Sequence, residues 1–279
     1  MNRLPLDKRI KIISLLVEGN SLRATSRLVD VSINTVTKLL VDVGQACLKF
    51  HSSTVVQVRA QRVQCDEIWS FVYKKEKNVT EDKYGVGNVW TWVAIDPDTK
   101  LVISFFAGER DIHSANFFMN DLWCRLRTRV QLSTDGLSLY REAVADTFGG
   151  KVDFAQLVKQ FSTNSLNKYG KVDHREKYIG AERIIISGQP ERKHISTSHV
   201  ERQNLTMRMH MRRFTRKTNA FSKKIDNHCY AIALHFVYYN FVKVHKTLRV
   251  TPAMEAKFAK KPMTIKDIVM LTEQQKNTG

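Results

Sequence analysis

The apolar pattern of this chain changes period near residue 60, and that change divides it. In the first 49 residues apolar side chains recur every three or four positions. Leu6, Ile10, Ile13 and Val17 fall at i, i+4, i+7 and i+11, one face of a first helix. Beyond residue 62 the runs 63–73, 89–95 and 101–107 are rich in β-branched and aromatic residues and read as strands. The division predicts an all-helical domain over 1–49, a polar linker over 50–62, a strand-containing domain over 63–245, and a C-terminal helix and tail over 246–279.

Within the first unit, Gly19 and Asn20 end the first helix, Ser21 caps a second running to about residue 29, and Ser32 caps a third from 33 to about 45. Two short helices joined by Val29-Asp-Val31 have the form of a helix-turn-helix. Ala24, Leu28, Val31, Val36 and Leu39 are expected inside it. The start of the third helix offers Asn34, Thr35, Thr37 and Lys38, side chains long enough to reach base edges in a major groove, with Arg23 and Arg27 placed for phosphates.

The second unit reads strand-strand-strand-helix-strand-helix-strand, with helices over 114–127 (capped by Ser114) and 140–148 and further strands over 130–134 and 154–158. That order predicts an α/β fold with a mixed sheet. The stretch 162–195 is irregular and basic, an insertion in this reading. A helix begins at Ser198, and another runs over 225–244.

Charge narrows the partners. The chain carries 45 Lys and Arg against 27 Asp and Glu, a formal net charge of +18. A surface of mixed charge would lie nearer balance, so the excess points to a polyanion, and DNA is the expected partner. Between residues 202 and 224 stand Arg202, Arg208, Arg212, Arg213, Arg216, Lys217, Lys223 and Lys224, with no acid among them. No apolar run reaches the ~18–20 residues of a membrane span, and no signal peptide is expected. Cys47, Cys65, Cys124 and Cys229 are scattered, so no cysteine-based zinc site is expected.

Against this basic background a few carboxylates stand out. Asp66 sits among apolar strand residues, where a carboxylate is costly unless bound or paired. Asp135 ends a predicted strand before Gly136, which can turn the backbone sharply. Glu201 falls in the first turn of the helix from Ser198. Strand alternation places Glu67 on the face opposite Asp66. Carboxylates beside a phosphodiester are the ligands of Mg or Mn, and two such ions can activate a nucleophile and stabilise a leaving oxygen.

The words Cys-Asp-Glu-Ile-Trp-Ser-Phe (65–71), Ser-Thr-Asp-Gly (133–136) and His-Val-Glu-Arg-Gln-Asn-Leu-Thr-Met-Arg (199–208) resemble the DDE transposases of the insertion sequence one family. So do Arg-Lys-Thr-Asn-Ala-Phe-Ser-Lys (216–223), Tyr-Tyr-Asn-Phe (238–241) and His-Lys-Thr-Leu-Arg-Val-Thr-Pro-Ala-Met (245–254), and the similarity covers about residues 20–265. The resemblance implies a ribonuclease H-like catalytic domain behind the helix-turn-helix. It implies that Asp66, Asp135 and Glu201 are the catalytic, metal-binding triad for two Mg or Mn ions, and that Arg208 holds a DNA phosphate from the face it shares with Glu201. His199 and Asn204 are expected to orient the ligands. Arg212, Arg213, Arg216 and Lys217 extend the DNA contact. The chain departs from typical members in lacking a zinc-binding cysteine cluster before the helix-turn-helix, so zinc is not carried over. The expectation is a cytoplasmic, nucleoid-associated transposase in single-chain form, acting on double-stranded DNA as a homo-oligomer when two ends are paired. The alternatives are a catalytically inactive DNA-binding regulator and a nuclease or resolvase on the same fold.

Overall fold

The computed structural model describes residues 4–80, 84–162, 165–166, 172–173, 177–215 and 218–274. Three helices open the chain: α1 (Leu6–Val17), α2 (Leu22–Val29) and α3 (Ile33–Thr54). Ser21 caps α2 by accepting from the Ala24 amide, and Ser32 caps α3 by accepting from that of Thr35, as their residue types require. The left-handed Asp30 (φ 52°) makes the turn between them. The packing face of α2 is rotated from the expected one. Thr25 and Val29 are buried, Ala24 and Val31 are only partly covered, and Leu28 is 56% exposed.

The third helix does not stop near 45. It continues to Thr54, and Val55, Val58 and Ala60 after it are buried. The stretch read as a polar linker is therefore a packed part of the body. Val58 exchanges backbone hydrogen bonds with Arg125 and Arg127, and the buried His51 faces the Val102 carbonyl at 3.2 Å. The physical reason lies in α7 (Ile225–Val237), apolar nearly all round, against which α3 packs. Gly44 marks the crossing: a Cβ there would meet Tyr230 Cβ at 2.5 Å and its carbonyl carbon at 2.8 Å.

The sheet is built from β1 (Arg62–Val72), β2 (Gly87–Ile95), β3 (Val102–Gly108), β4 (Gln131–Asp135) and β5 (Asp153–Ser162), with α4 (Ile112–Arg125) and α5 (Leu139–Phe148) as the crossovers that bring β4 and β5 parallel to β1. The cap of α4 is Asp111, whose side chain accepts from Ser114, so the helix starts two residues earlier than expected. The short strands β6 (Ser165–Leu166) and β7 (Val172–Asp173) form a separate ribbon. The stretch read as irregular supplies β8 (Lys177–Ser187), antiparallel to β5 and at the sheet edge. Its Ile184-Ile-Ile-Ser run was the unread strand signal. The order is β3-β2-β1-β4-β5-β8, with β1–β2–β3 an antiparallel meander: a mixed α/β, ribonuclease H-like sheet.

Beyond it come α6 (Ser198–His210), α7 with a π-turn over Tyr238–Val242, α8 (Pro252–Glu255) and α9 (Ile265–Gln274). In the last of these Ile268, Val269 and Leu271 are buried. No helix among the described residues is long and apolar enough to cross a membrane.

Candidate metal and nucleic-acid site

Register brings the first two acids together. Parallel β1 and β4 pair Arg62 with Gln131 through Cys65 with Thr134, so the next step along both strands is Asp66 beside Asp135. Gln156, fully buried on β5, fixes the turn after β4. Its Nε2 donates to the Asp135 carbonyl at 2.9 Å and the Leu137 carbonyl at 3.0 Å, while Oε1 accepts from Arg141 at 2.7 Å. The Leu137 amide donates to Asp135 Oδ1 at 3.0 Å. Gly136 does not adopt a positive φ. Its missing side chain serves close approach instead, since a Cβ would stand 3.2 Å from Val158 Cγ2.

The third acid arrives on α6. Thr197 does not cap that helix; Gln64 of β1 accepts from the amides of His199 (2.8 Å) and Val200 (3.3 Å) and so pins the helix start to the strand that carries Asp66. Asn204, nearly two turns into α6, donates from Nδ2 to Asp66 Oδ2 at 2.8 Å. Asp66, Asp135, Glu201 and Arg208 all line one open cleft of about 680 Å³, together with Glu67, Arg110, Lys159 and Phe161.

Two details differ from the expected triad. Glu67 is not removed from the site by strand alternation. Its carboxylate reaches Asp66 and Asp135, and one ligand oxygen from each of the three lies within 4.8 Å of the others. Glu67 is held there by Arg110 (Nη2 to Oε1, 2.6 Å) and by the buried Tyr140 hydroxyl (3.1 Å). Glu201 stands outside that group, because Lys159 of β5 takes its Oε1 at 2.7 Å and the Thr197 hydroxyl donates to the same oxygen.

The crowding shows in the protonation equilibria. Burial, then the charges of Glu67, Asp135 and Glu201, push the Asp66 carboxyl up to about 7. Burial and Asp135 also raise Glu67, and the Arg110 guanidinium opposes them. A divalent cation is the natural relief for such a cluster. The donor set is hard oxygen throughout, and among the described residues the buried Asn204 Oδ1 beside Asp66 has no hydrogen-bond partner, as an acceptor for a water of a hydrated ion would. The residues fit a hard divalent cation: Asp66, Glu67 and Asp135 present converging carboxylate oxygens, while Glu201 lines the same cleft paired with Lys159.

Other expected site residues are placed differently. His199 faces away from the cleft, its Nδ1 3.2 Å from Lys100 Nζ in a separate polar pocket with Arg62 and His194. It does not touch the carboxylates, because only every third or fourth residue of α6 faces them. Arg213 is turned inward, donating from Nη1 to Ser222 Oγ and the Asn227 carbonyl, each at 2.8 Å, and burial pulls its pKa down to about 10. It is not placed for a phosphate. Arg212 is exposed beside it. Arg216 and Lys217 lie outside the described residues. At the start of α3, Asn34 and Lys38 are exposed, whereas the Thr35 hydroxyl pairs with Ser32 and that of Thr37 donates to the Ile33 carbonyl. Lys159, Arg110, Gln64 and Gln156 escaped the sequence reading, although a glutamine two residues before Asp66 on a buried strand was an available sign.

Residues 183–243, about a fifth of the chain, match the family model described as IS1 transposase. That segment holds Glu201 and Arg208 but neither aspartate. Among curated proteins none matches. Similar solved structures include the Mos1 strand transfer complex, 14% identical over 55% of this chain and 59% of that chain with a TM-score of 0.25. They also include the Mos1 transposase paired-end complex with left transposon end, 14% identical over 55% and 60% with a TM-score of 0.26. A pre-cleavage Mos1 transpososome is 11% identical with a TM-score of 0.22. The matched part spans about three-fifths of the length of those chains, and similarity so low adds nothing to the topology described above.

Proposed function

We propose that this protein is a DNA transposase that binds insertion-element ends and catalyses metal-dependent strand cleavage and strand transfer. The observation that carries the reading is the meeting of Asp66, within β1, and Asp135, at the end of the neighbouring β4, with Glu201 facing the same cleft, in a chain of net charge +18. The IS1 transposase match over the segment containing Glu201 supports it. Magnesium or manganese, when bound, supplies activation of a hydroxyl nucleophile and neutralisation of charge at the phosphate. The protein's own part is positional. Asp66 and Asp135, brought side by side by strand register, would hold the cation, while Asn204 orients Asp66 and Gln156 locks the turn behind Asp135. Arg208 and Lys159 line the cleft as cations for backbone phosphates. Asn34 and Lys38 are the surface groups of α3 placed to read bases, with Thr35 and Thr37 beside them. The partners on this reading are double-stranded element ends and target DNA, a second copy of the chain joins when two ends are paired, and the location is cytoplasmic.

The test is strand joining. Purified protein, a duplex element end with a free 3′-hydroxyl and a target plasmid are incubated in Mg or Mn, and joined products are expected. Binding without cutting or joining would point to a regulator, and cutting without joining to a nuclease or resolvase.

The two neighbouring arginines separate surface from interior. Arg212→Ala should flatten the log–log salt dependence of DNA affinity by about 0.9, the loss of one phosphate contact. Arg213→Ala should leave that slope unchanged and lower stability instead, because it strips partners from buried groups. Salt-titrated binding beside denaturant unfolding checks both, and equal slopes for the two variants would remove Arg212 from the interface.

A further inference from the structure

The catalytic cleft has an apolar shore that the carboxylate chemistry does not use. Leu157, Val158, Lys159 and Phe161 of β5 lie on its lining, with a register irregularity between Gln160 and Phe161. Lys159 reaches Glu201, and Phe161 lies two residues further along the strand, about 7 Å at the rise of an extended chain. Phe161 is 47% exposed. Its cross-strand partner on β8 is Tyr178, 58% exposed, and the two rings meet edge to face with centroids 6.0 Å apart. Leu205 of α6, which lines the same cleft, is 41% exposed. Phe161 and Leu205, large apolar side chains left open to water in one groove with Tyr178 beside the first, are costly unless something covers them. The groove's other walls are Lys159 and Arg208, cations suited to a phosphate backbone. Aromatic faces interleaved with cations are the means by which proteins hold unpaired bases without reading them.

We propose that Phe161, supported by Tyr178, forms a stacking platform for an unstacked DNA base next to the phosphate held at the carboxylates. The inference rests on the transposase reading and adds to it. The strand entering the cleft would be parted from its complement locally, its backbone following Lys159 and Arg208 while one base leaves the stack and lies on the Phe161 ring. Stacking of this kind tolerates any base, because every base presents a π-face. The platform therefore helps admit the strand to the cleft and leaves sequence choice to α3. Phe161 is a positioning residue here, since it touches the substrate strand away from the reacting phosphate.

The experiment uses the full chain and a single-stranded thymidine oligonucleotide carrying one 2-aminopurine, with calcium in place of magnesium to prevent cutting. Wild type is expected to change the 2-aminopurine fluorescence on binding. Phe161→Ala and Phe161→Leu should lose most of that change and bind about 10-fold more weakly, the order expected for one lost base–aromatic stack. Phe161→Trp should restore both. Because Phe161 is half exposed, these variants should fold, and circular dichroism confirms it. A second readout uses duplex substrates in magnesium: Phe161→Ala should cut a fully paired duplex poorly and regain activity when the bases beside the scissile phosphate are mismatched. Equal fluorescence and affinity for Phe161→Ala and wild type would overturn the platform while leaving the transposase reading standing. A wild type that binds and cuts DNA with no 2-aminopurine response would do the same. A wild type that binds neither single- nor double-stranded DNA would overturn both.

Discussion

Asp135→Asn should abolish metal-dependent DNA cleavage and joining, by on the order of 10³-fold or more, the scale at which loss of one preorganised electrostatic group registers. The substitution keeps size and can still accept the Leu137 amide, so the turn locked by Gln156 should survive. What disappears is a charge that no cation balances among the described residues. Glu67→Gln makes the contrast. That carboxylate already has a guanidinium at 2.6 Å, so its removal changes the net charge presented to a metal less, and the loss of activity should be smaller. Isothermal titration with magnesium and an oligonucleotide cleavage assay, run on both variants, decide the matter. DNA affinity should hold or rise for Asp135→Asn, because one negative charge has left a phosphate-binding groove. Near-normal strand transfer by Asp135→Asn in magnesium would remove Asp135 from the catalytic set and reopen the regulator or a different group of acids.

Gly44→Ala should destabilise the protein by about 1–3 kcal/mol, and Gly44→Val by more. Two effects compete here. In a helix interior alanine is favoured over glycine by about 1 kcal/mol. At this position, however, a Cβ would stand 2.5 Å from Tyr230 Cβ, with the Tyr230 carbonyl oxygen closer still. Backbone cannot swing aside as a side chain does, so α3 and α7 must separate and give up contacts along the whole crossing. Packing therefore outweighs propensity. Gln45→Ala, one residue on and exposed, is the control and should change stability by no more than about 0.5 kcal/mol. Denaturant unfolding of the three variants gives the answer; a Gly44→Ala protein as stable as wild type would mean that the two helices do not meet this closely.

What could be read from the chain in advance followed how local each signal was. Ser21 and Ser32 act on amides three residues away, so both caps were legible. Asp66 stood out because a carboxylate amid residues 63–72 demands an explanation, and Asp135 because it ends a strand before a glycine. The end of α3 was misread because residues 50–62 look polar alone; Val55, Val58 and Ala60 are buried against the segment 125–128, some 70 residues later, which no local pattern announces. Leu28 was assigned inward on its residue type, yet the path of α2 leaves it in water. Strand alternation correctly described the backbone at Glu67, and the error was to let backbone direction decide where a long side chain ends. Arg213 looked like its neighbours in a basic run, and nothing local distinguishes the one that bonds Ser222 and Asn227.

The unbroken course of α3 has a metrical consequence. Its 22 residues rise about 33 Å from Ile33 to Thr54. That span is close to the ~34 Å pitch of B-form DNA, one turn of about ten base pairs. A reading head mounted on a hinge would tolerate variable spacing between the sequence it recognises and the bond it cuts. Here the exposed start of α3 and its buried end belong to one rod, packed against α7 and α9 and so fixed to the body that carries the sheet. On the transposase reading, an extra half-turn of duplex between recognition sequence and element terminus rotates the scissile bond to the far side of the helix, where the rod cannot follow. On that reading the protein would measure DNA as well as read it.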